Sequence, residues 1–294
     1  MKLGTDPEFV LMYKGKPLSA IGILPRKDGK CTTYFDNVLA ECAIPPEETE
    51  DAFVAGIREY ITSLAANMKP YTVNTIAAIK YPKKQLQALE AREAGCNPEM
   101  CAYTYKSFTP NPVQFAKTPW RTAGGHLHID FNVTLPAKIA LIHALDLFVG
   151  YPLSLIDKDK SAPQRRKLYG RAGRFRVTPY GVEYRTPGNF WLASPRYVRL
   201  VWKLVDNALS NLHQRQDWLY NFQDWESIGL KSPGTFQMCE RYNPNWLQHC
   251  INRSVYSEYL YSIATQFLNL DVLQELNYLK TLDAPPCLYD EWEL

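Results

Sequence analysis

The sequence predicts an α+β fold built around an antiparallel sheet. Strand-like and helix-like segments are mixed along its 294 residues, without the regular β–α–β alternation that parallel sheets require. No Gly-x-Gly-x-x-Gly or Gly-x-x-x-x-Gly-Lys-Ser/Thr segment occurs, so neither a Rossmann site nor a P-loop is indicated. No internal repeat or low-complexity linker divides the chain.

The first half of the chain is predicted to form strands around one long helix. Residues 3–24 have the pattern of a hairpin, and residues 31–44 form a strand region that ends at Pro45 and Pro46. A helix over 47–68 has acidic residues in its first turn and an apolar stripe at helical spacing. Further segments are a strand over 73–81 and a short helix or turn over 85–94.

The second half is predicted to be more helical. A strand over 123–133 precedes a helix that starts at Pro136, where a missing N–H costs nothing. A basic, glycine-containing loop over 157–178 leads to a strand with Glu183. The remaining segments are a helix from Ser194 to about Gln216, an irregular aromatic stretch over 217–250 and two helices over 254–282.

The composition indicates an ordinary globular chain, with 46% hydrophobic and 21% charged residues. The net charge of +3 is too small to indicate nucleic-acid binding, and no apolar run reaches the roughly 18 residues of a membrane span. The acidic motif directly after Met-Lys-Leu-Gly-Thr argues against a signal peptide. The seven cysteines show no zinc-type pairing, so we expect reduced thiols and a cytoplasmic location.

Carboxylates recur on two of the early strands. Asp6 and Glu8 are two residues apart, so they share a face of an extended chain, and a divalent cation would resolve their repulsion. Asp-Pro is equally an ordinary turn opener. Glu41 follows Asp36 within Asp-x-x-x-x-Glu and lies among small and apolar residues, where it is either paired or on an edge strand facing water.

A pair of histidines lies on the strand over 123–133. His126 and His128 share a face, and the preceding glycines allow a close approach by a backbone or a ligand. Two imidazoles at this spacing are common metal ligands, so we expect a functional role for the pair.

Glu183 and Arg185 alternate on the next strand, and a group of arginines precedes them. So much positive charge near one carboxylate indicates an anionic ligand, such as a polyphosphate with a metal ion held by Glu183. A solvated strand face with a surface salt bridge is the alternative. The donor set is rich in carboxylates and lacks thiolates, which favours Mg²⁺ or Mn²⁺ and suggests phosphoryl transfer.

The segment Gly95-Cys96-Asn97-Pro98-Glu99 is predicted to be a turn. No activating group lies near Cys96 in the sequence, so a nucleophilic role for this thiol is not favoured. The role of Glu99 as a further metal or substrate contact stays open.

These motifs together resemble a known family. Gly-Thr-Asp-Pro-Glu-Phe, Gly-Cys-Asn-Pro-Glu, Gly-Gly-His-Leu-His-Ile and Tyr-Gly-Val-Glu-Tyr-Arg-Thr-Pro, in this order, resemble the type 2 phage COOH–NH2 ligases. More broadly, the chain resembles the glutamine synthetase and glutamate–cysteine ligase superfamily, to which this family belongs. The resemblance covers residues 4–191 and implies one ligase domain over 1–294, with a curved antiparallel β-sheet funnel flanked by helices. The part over about 194–294 would be helical and irregular.

The resemblance also implies ATP and Mg²⁺ (or Mn²⁺) as cofactors. Glu8 and Glu41 would hold one metal ion, whereas Asp6, His126 and Glu183 would hold the ion that bridges the ATP phosphates. A carboxylate would be phosphorylated to an acyl phosphate, which an amine would convert to an amide. Such a protein is an amidoligase acting in the cytoplasm, that of the host if a phage encodes it.

The basic residues are assigned by the same resemblance. Arg185 would stabilise the transferring phosphoryl group, and Arg171, Arg174 and Arg176 would contact phosphates or the acyl phosphate in an unranked order. His128 would orient the substrate or a neighbouring residue.

Three other functions are compatible with the motifs. The same fold could carry an ATP-dependent guanidino or amine phosphotransferase, or a non-enzymatic binding protein of a phage or its host. A metal hydrolase using His126 and His128 would need no ATP, but the arginines would then have no role. The expected partners are small-molecule or peptide carboxylates and amines, and the oligomeric state is left open.

Overall fold

The computed structural model describes residues 1–27, 32–92, 99–104, 106–108, 117–214 and 244–294. In the first half of the chain the strands are β1 (Leu3–Tyr13), β2 (Lys16–Leu18), β3 (Thr33–Asp36), β4 (Leu39–Cys42), β5 (Ile44–Glu47), β6 (Thr72–Asn74), β7 (Ala78–Lys80), β8 (Glu99–Cys101) and β9 (Lys106–Phe108). The later strands are β10 (Trp120–Thr122), β11 (Gly125–Asp130), β12 (Arg174–Thr178) and β13 (Gly181–Tyr184).

The main sheet is an antiparallel sheet that does not close into a barrel. Its strands follow the order β3-β4-β1-β11-β13-β12-β8-β9, and β2, β5 and β6 also pair with β1. The pairs β1–β11, β11–β13 and β12–β13 are all antiparallel. The predicted α+β class and antiparallel sheet are therefore confirmed.

The helices are α1 (Glu50–Asn67), α2 (Leu135–Ile156), α3 (Ala162–Leu168), α4 (Pro195–Gln214), α5 (Pro244–Arg253), α6 (Glu258–Thr265), α7 (Leu270–Thr281) and α8 (Leu288–Trp292). Thr49 caps α1, because its side-chain oxygen accepts a hydrogen bond from the backbone N–H of Ala52 at 3.3 Å. A π-helical segment, Asp146–Gly150, interrupts α2.

The larger of two hydrophobic clusters lies on one side of the main sheet, against the helices. Leu127 and Ile129 of β11, and Val182 and Tyr184 of β13, are fully buried there. Helix α2 packs on β13 and on α4, which also contacts α1. Because strand side chains alternate, this packing leaves the polar residues of β11 and β13 on the opposite face.

Helix α2 is long and apolar enough to cross a membrane, with a mean hydropathy of 1.8 in its most apolar window. However, 94% of that window is buried inside the protein, as in a core helix of a folded domain.

Several predicted boundaries need correction. Pro45 and Pro46 lie within β5 rather than ending a strand, because β5 pairs only with β1 and its outer edge needs no N–H donor. The single strand predicted over 73–81 is two strands, β6 and β7, which belong to different sheets.

The basic segment over 157–178 is not only a loop, since it contains α3 and β12. Pro163 lies in the first turn of α3, a position that proline tolerates well. The predicted irregular stretch over 217–250 falls largely outside the described residues, and α5 begins within its last part.

Candidate functional site

Strand pairing brings the predicted acidic and imidazole residues to one face of the main sheet. In the antiparallel registers, Asp6 is opposite His126 and Glu8 is opposite Glu41. On the next strand pair, His128 is opposite Glu183. Residues opposite each other in a sheet share a face, so all of these side chains point to the side that the helices of the core leave open.

The first group of donors, here called the Asp6 cluster, consists of Asp6, His126 and Glu183. Nδ1 of His126 lies 3.3 Å from Oδ1 of Asp6 and 3.5 Å from Oε1 of Glu183. One donor atom from each residue lies within 4.8 Å of the others. Two carboxylates and an imidazole at this spacing can hold a divalent cation.

The second group, the Glu8 cluster, consists of Glu8, Asp36 and Glu41, and its donor atoms meet the same 4.8 Å limit. Asp36 ends β3, which pairs with the strand of Glu41. Asp36 is the first residue of the Asp-x-x-x-x-Glu spacing, but that spacing alone predicted no role for it. Three oxygen donors without a thiolate or imidazole fit a hard cation such as Mg²⁺.

Charge in the Glu8 cluster is poorly balanced. Burial and the Glu41 carboxylate raise the pKa of Glu8 well above its ordinary value. Burial and the nearby Asp6 and Asp36 raise the pKa of Glu41 to about 8. Two nearby groups relieve this excess, because Nζ of Lys27 and the hydroxyl of Tyr34 lie 3.3 Å and 2.7 Å from Oε1 of Glu41.

In the Asp6 cluster, by contrast, the neighbouring groups favour the charged form of the Asp6 carboxylate. Burial raises the pKa of Asp6, but the neighbouring His128 and His126 outweigh it, and this pKa falls below its ordinary value. Burial lowers the pKa of His126 despite the adjacent carboxylates, so its imidazole is neutral at pH 7. A neutral imidazole can donate its lone pair to a metal ion.

His128 lies beside the Asp6 cluster rather than in it. Its Nε2 is 3.0 Å from Oδ1 of Asp6, and its Nδ1 is 2.5 Å from the hydroxyl of Tyr180. A carboxylate without a proton only accepts, so Nε2 carries the hydrogen in this contact. His128 therefore orients Asp6, as the neighbours of metal ligands commonly do.

Three of the four predicted arginines lie on the same face as the clusters. Arg176 contacts Glu183, and Nε of Arg185 lies 2.7 Å from Oε1 of Glu183. Arg174 lies on the strand next to Arg185, and the backbone N–H of Arg185 donates to the carbonyl oxygen of Arg174 at 3.0 Å.

Arg171 is directed elsewhere. It is exposed, and its guanidinium donates at 3.0 Å to the carbonyl oxygens of Arg166 and Lys167 at the end of α3. The geometry therefore favours Arg174, Arg176 and Arg185 over Arg171 as anion-binding groups.

Two further charged residues belong to this part of the face. Glu99 is 2% exposed and lies near Arg174 and Arg185. Arg165 is 1% exposed and donates to the carbonyl oxygens of Thr186 and Arg185 at 2.8 Å and 3.2 Å, which holds the segment directly after β13. The motif around Glu99 left the role of this residue open. Arg165 was not predicted as a site residue, because no helix was predicted over α3, which carries it.

The glycines before His126 have a steric role. A Cβ on Gly124 would collide with Nε2 of His126, and a Cβ on Gly125 would lie 2.5 Å from Nε1 of Trp191. The backbone N–H of Gly124 also donates to Oε2 of Glu8 at 2.5 Å. The predicted close approach is therefore made by protein groups, and it connects the two clusters.

The other histidines and Cys96 do not join the site as far as the structure describes them. His143 is buried against the ring of Tyr103, and His249 stacks on Trp246. Cys96 and the side chain of His213 lie outside the described residues.

The fold and the site together define an α+β protein whose open sheet face carries two hard-cation donor clusters beside a group of arginines. Residues 114–227 match the family described as Phage phiEco32-like COOH.NH2 ligase-type 2. This match confirms the resemblance seen in the motifs and supports carboxylate–amine ligase activity in general. The matched segment includes both site histidines and Glu183, whereas Asp6, Glu8 and Glu41 precede it. No curated protein and no solved structure matches the chain.

Proposed function

We propose that the protein is an ATP- and Mg²⁺-dependent ligase that joins a carboxylate to an amine through an acyl phosphate. The observation that supports this proposal is the juxtaposition of the Asp6 cluster, the Glu8 cluster and the arginines on one sheet face. Paired hard-cation sites beside guanidiniums are what phosphoryl transfer requires, because negative charge must be neutralised at both the bridging and the transferred oxygens.

The donor chemistry fits the divalent ions. Each cluster supplies carboxylate oxygens from two or three residues, and the Asp6 cluster adds one imidazole. Bound Mg²⁺ and ATP would supply the phosphoryl group and the positive charge that stabilises it in transfer. Asp6, His126 and Glu183 would hold one ion, and Glu8, Asp36 and Glu41 the other.

The chain's own residues would position and shield the reactants. Arg176 and Arg185, which contact Glu183, would bind phosphoryl oxygens beside the ion. Glu183 and Arg185 are at most 2% exposed, so their interactions act in a medium of low polarity. Exclusion of water would also protect the acyl phosphate from hydrolysis.

The proposed reaction has two displacements. A carboxylate oxygen of the first substrate attacks the γ-phosphorus of ATP, and ADP leaves. The amine nitrogen of the second substrate then attacks the carbonyl carbon, phosphate leaves with the C–O electron pair, and the amine loses a proton. The products are an amide, ADP and phosphate.

The test is turnover with mixed substrates. Purified protein is incubated with Mg²⁺, ATP and a mixture of amino acids, peptides and amines, with ADP measured by coupled assay and products by mass spectrometry. We expect ADP, phosphate and an amide, with at least a roughly 1,000-fold loss in Glu183→Gln because the ion and two arginines lose their shared partner. The matched control, Glu275→Gln, removes a carboxylate paired with Arg196 on the surface and should retain full activity.

Two results would contradict the proposal. A stable phosphoramidate without free phosphate would indicate a phosphotransferase. Absence of ADP in every mixture, together with unchanged Mn²⁺ binding in Glu183→Gln, would indicate a binding protein.

A further inference from the structure

Glu99 lies at the arginine end of the site face, on β8. Its Oε1 is 3.7 Å from Nη1 of Arg174, and its Oε2 is 3.6 Å from Nη1 of Arg185. The side chain is buried, and Oε2 accepts no hydrogen bond from the residues that the structure describes. A buried carboxylate in this position needs a reason, because its desolvation is costly.

The register of two neighbouring strands places two arginines close to this carboxylate. Phe175 is opposite Tyr184 in the register of β12 and β13, so Arg174 and Arg185 are also opposite each other. Like charges directly opposite in a sheet repel each other. Glu99 lies near both guanidiniums and offsets this repulsion.

The two contacts of Glu99 are loose. They are longer than the roughly 2.7–2.9 Å of a tight charge-assisted hydrogen bond, whereas Nε of Arg185 reaches Glu183 at 2.7 Å. Glu99 thus attracts both guanidiniums without forming a close bidentate pair with either. Such a carboxylate can space two arginines and still leave them suited to bind an anion.

We propose that Glu99 is a positioning residue of a polyphosphate subsite formed by Arg174 and Arg185. It holds the two guanidiniums at a fixed spacing, and its negative charge weakens their attraction for the polyphosphate, which allows the product to leave. This inference rests on the proposed function and extends it to a residue outside the matched family segment.

A role in binding the amine is less consistent with these contacts. A protonated amine at Glu99 would lie next to two guanidiniums and would be repelled by both. Glu99→Gln separates the two roles, because only the positioning role predicts tighter binding of an anion in this variant.

The test measures binding of inorganic tripolyphosphate by calorimetry, together with steady-state kinetics for ATP. In Glu99→Gln, which keeps the shape but removes the charge, we expect tripolyphosphate to bind about 3- to 10-fold more tightly. We also expect kcat to fall about 10-fold, because the guanidiniums lose their common partner. A purely structural role would weaken both binding and turnover.

Three other variants complete the design. Glu99→Asp keeps the charge and should keep the tripolyphosphate affinity within about twofold of the wild type. The double variant Glu99→Gln/Arg174→Gln restores the charge balance and should reverse the gain in affinity. Glu275→Gln, which removes a carboxylate 2.8 Å from Nη2 of Arg196 on the surface, should change neither quantity.

The outcomes separate this inference from the proposed function. Tripolyphosphate binding that is measurable in the wild type and unchanged or weaker in Glu99→Gln would overturn the role of Glu99 and leave the ligase proposal standing. A change confined to the KM of the amine would overturn it as well. Failure of the wild type to bind tripolyphosphate, with or without Mg²⁺, would overturn both.

Discussion

The Asp6 cluster and the Glu8 cluster begin two residues apart on the same strand, yet they balance their charge by different means. In the Asp6 cluster the compensating charge comes from fixed protein groups, since Arg176 and Arg185 both contact Glu183. In the Glu8 cluster Lys27, whose side chain is 60% exposed, is the cation that contacts Glu41, and burial raises the pKa of both glutamates.

This difference has a consequence for cation binding. An ion that enters the Asp6 cluster competes with guanidiniums, which an anionic ligand can draw away. An ion that enters the Glu8 cluster competes with protons and with the exposed ammonium group of Lys27. The Glu8 cluster should therefore depend more strongly on pH, and the Asp6 cluster on the bound anion.

The largest expected effect on stability concerns a carboxylate that belongs to neither cluster. Asp146 accepts hydrogen bonds from the hydroxyls of Tyr184 and Tyr103 at 2.6 Å and 2.8 Å, and burial raises its pKa to about 7. Because the folded state binds this proton more tightly than the unfolded chain, stability contributed by the protonated form is lost as pH rises from about 4 to 7. Asp146→Asn should remove about 4 kcal/mol of that pH dependence, as measured by urea unfolding across this range.

Asp146→Asn also serves as a control for the comparison. Its Mn²⁺ affinity should equal that of the wild type, because Asp146 lies on the core side of the sheet. A large loss of Mn²⁺ affinity in this variant would show that Asp146, on the core side of the sheet, also affects the clusters on the other face.

The next effect concerns the Glu8 cluster without metal. The pKa of Glu41 is raised to about 8 in the folded protein, so its contribution to stability declines as pH rises from about 4.5 to 8. In protein stripped of metal by a chelator, Glu41→Gln should raise the free energy of unfolding at pH 8 by about 2 kcal/mol. The gain is limited because the substitution removes only one of three mutually repelling carboxylates.

Glu183→Gln is the matched variant of the Asp6 cluster. It should destabilise the metal-free protein, because it removes the carboxylate that contacts both Arg176 and Arg185. The free energy of unfolding in urea, measured with a chelator, should change in opposite directions in Glu41→Gln and Glu183→Gln. A change in the same direction would contradict the contrast between the clusters.

A smaller effect is expected from the chain of polar contacts that runs from Tyr180 through His128 to Asp6. Tyr180→Phe should weaken Mn²⁺ binding at the Asp6 cluster about 10-fold, because the imidazole that orients Asp6 loses its support. In a His128→Gln background the same substitution should have no further effect. Additive losses in calorimetry or electron paramagnetic resonance would show that Tyr180 acts independently of His128.

The smallest effect is expected from Arg171→Ala. Its guanidinium caps the carbonyl end of α3 and has no described contact with either cluster, so the KM for ATP should change less than about twofold. Arg176→Ala, by contrast, should raise this KM at least about 10-fold. Similar changes in the two variants would mean that Arg171 moves into the site when the nucleotide binds.

The sequence alone determined which side chains share a face of a strand. Because strand side chains alternate, the spacing of Asp6 with Glu8, His126 with His128, and Glu183 with Arg185 required no knowledge of the fold. The same pattern and the absence of β–α–β alternation were sufficient for the α+β class.

Only the tertiary structure decided which of these faces meet and which charged groups join them. Cross-strand register pairs Glu8 with Glu41 across more than thirty residues and brings Asp36 into the cluster, and neither contact follows from spacing along one strand. Glu99 is buried between two arginines that lie far from it in the sequence. Arg171 contacts the end of α3, which lies in a segment that was wrongly predicted as loop. The electrostatic balance of each cluster is likewise a property of the assembled sheet, since desolvation and neighbouring charges exist only after folding.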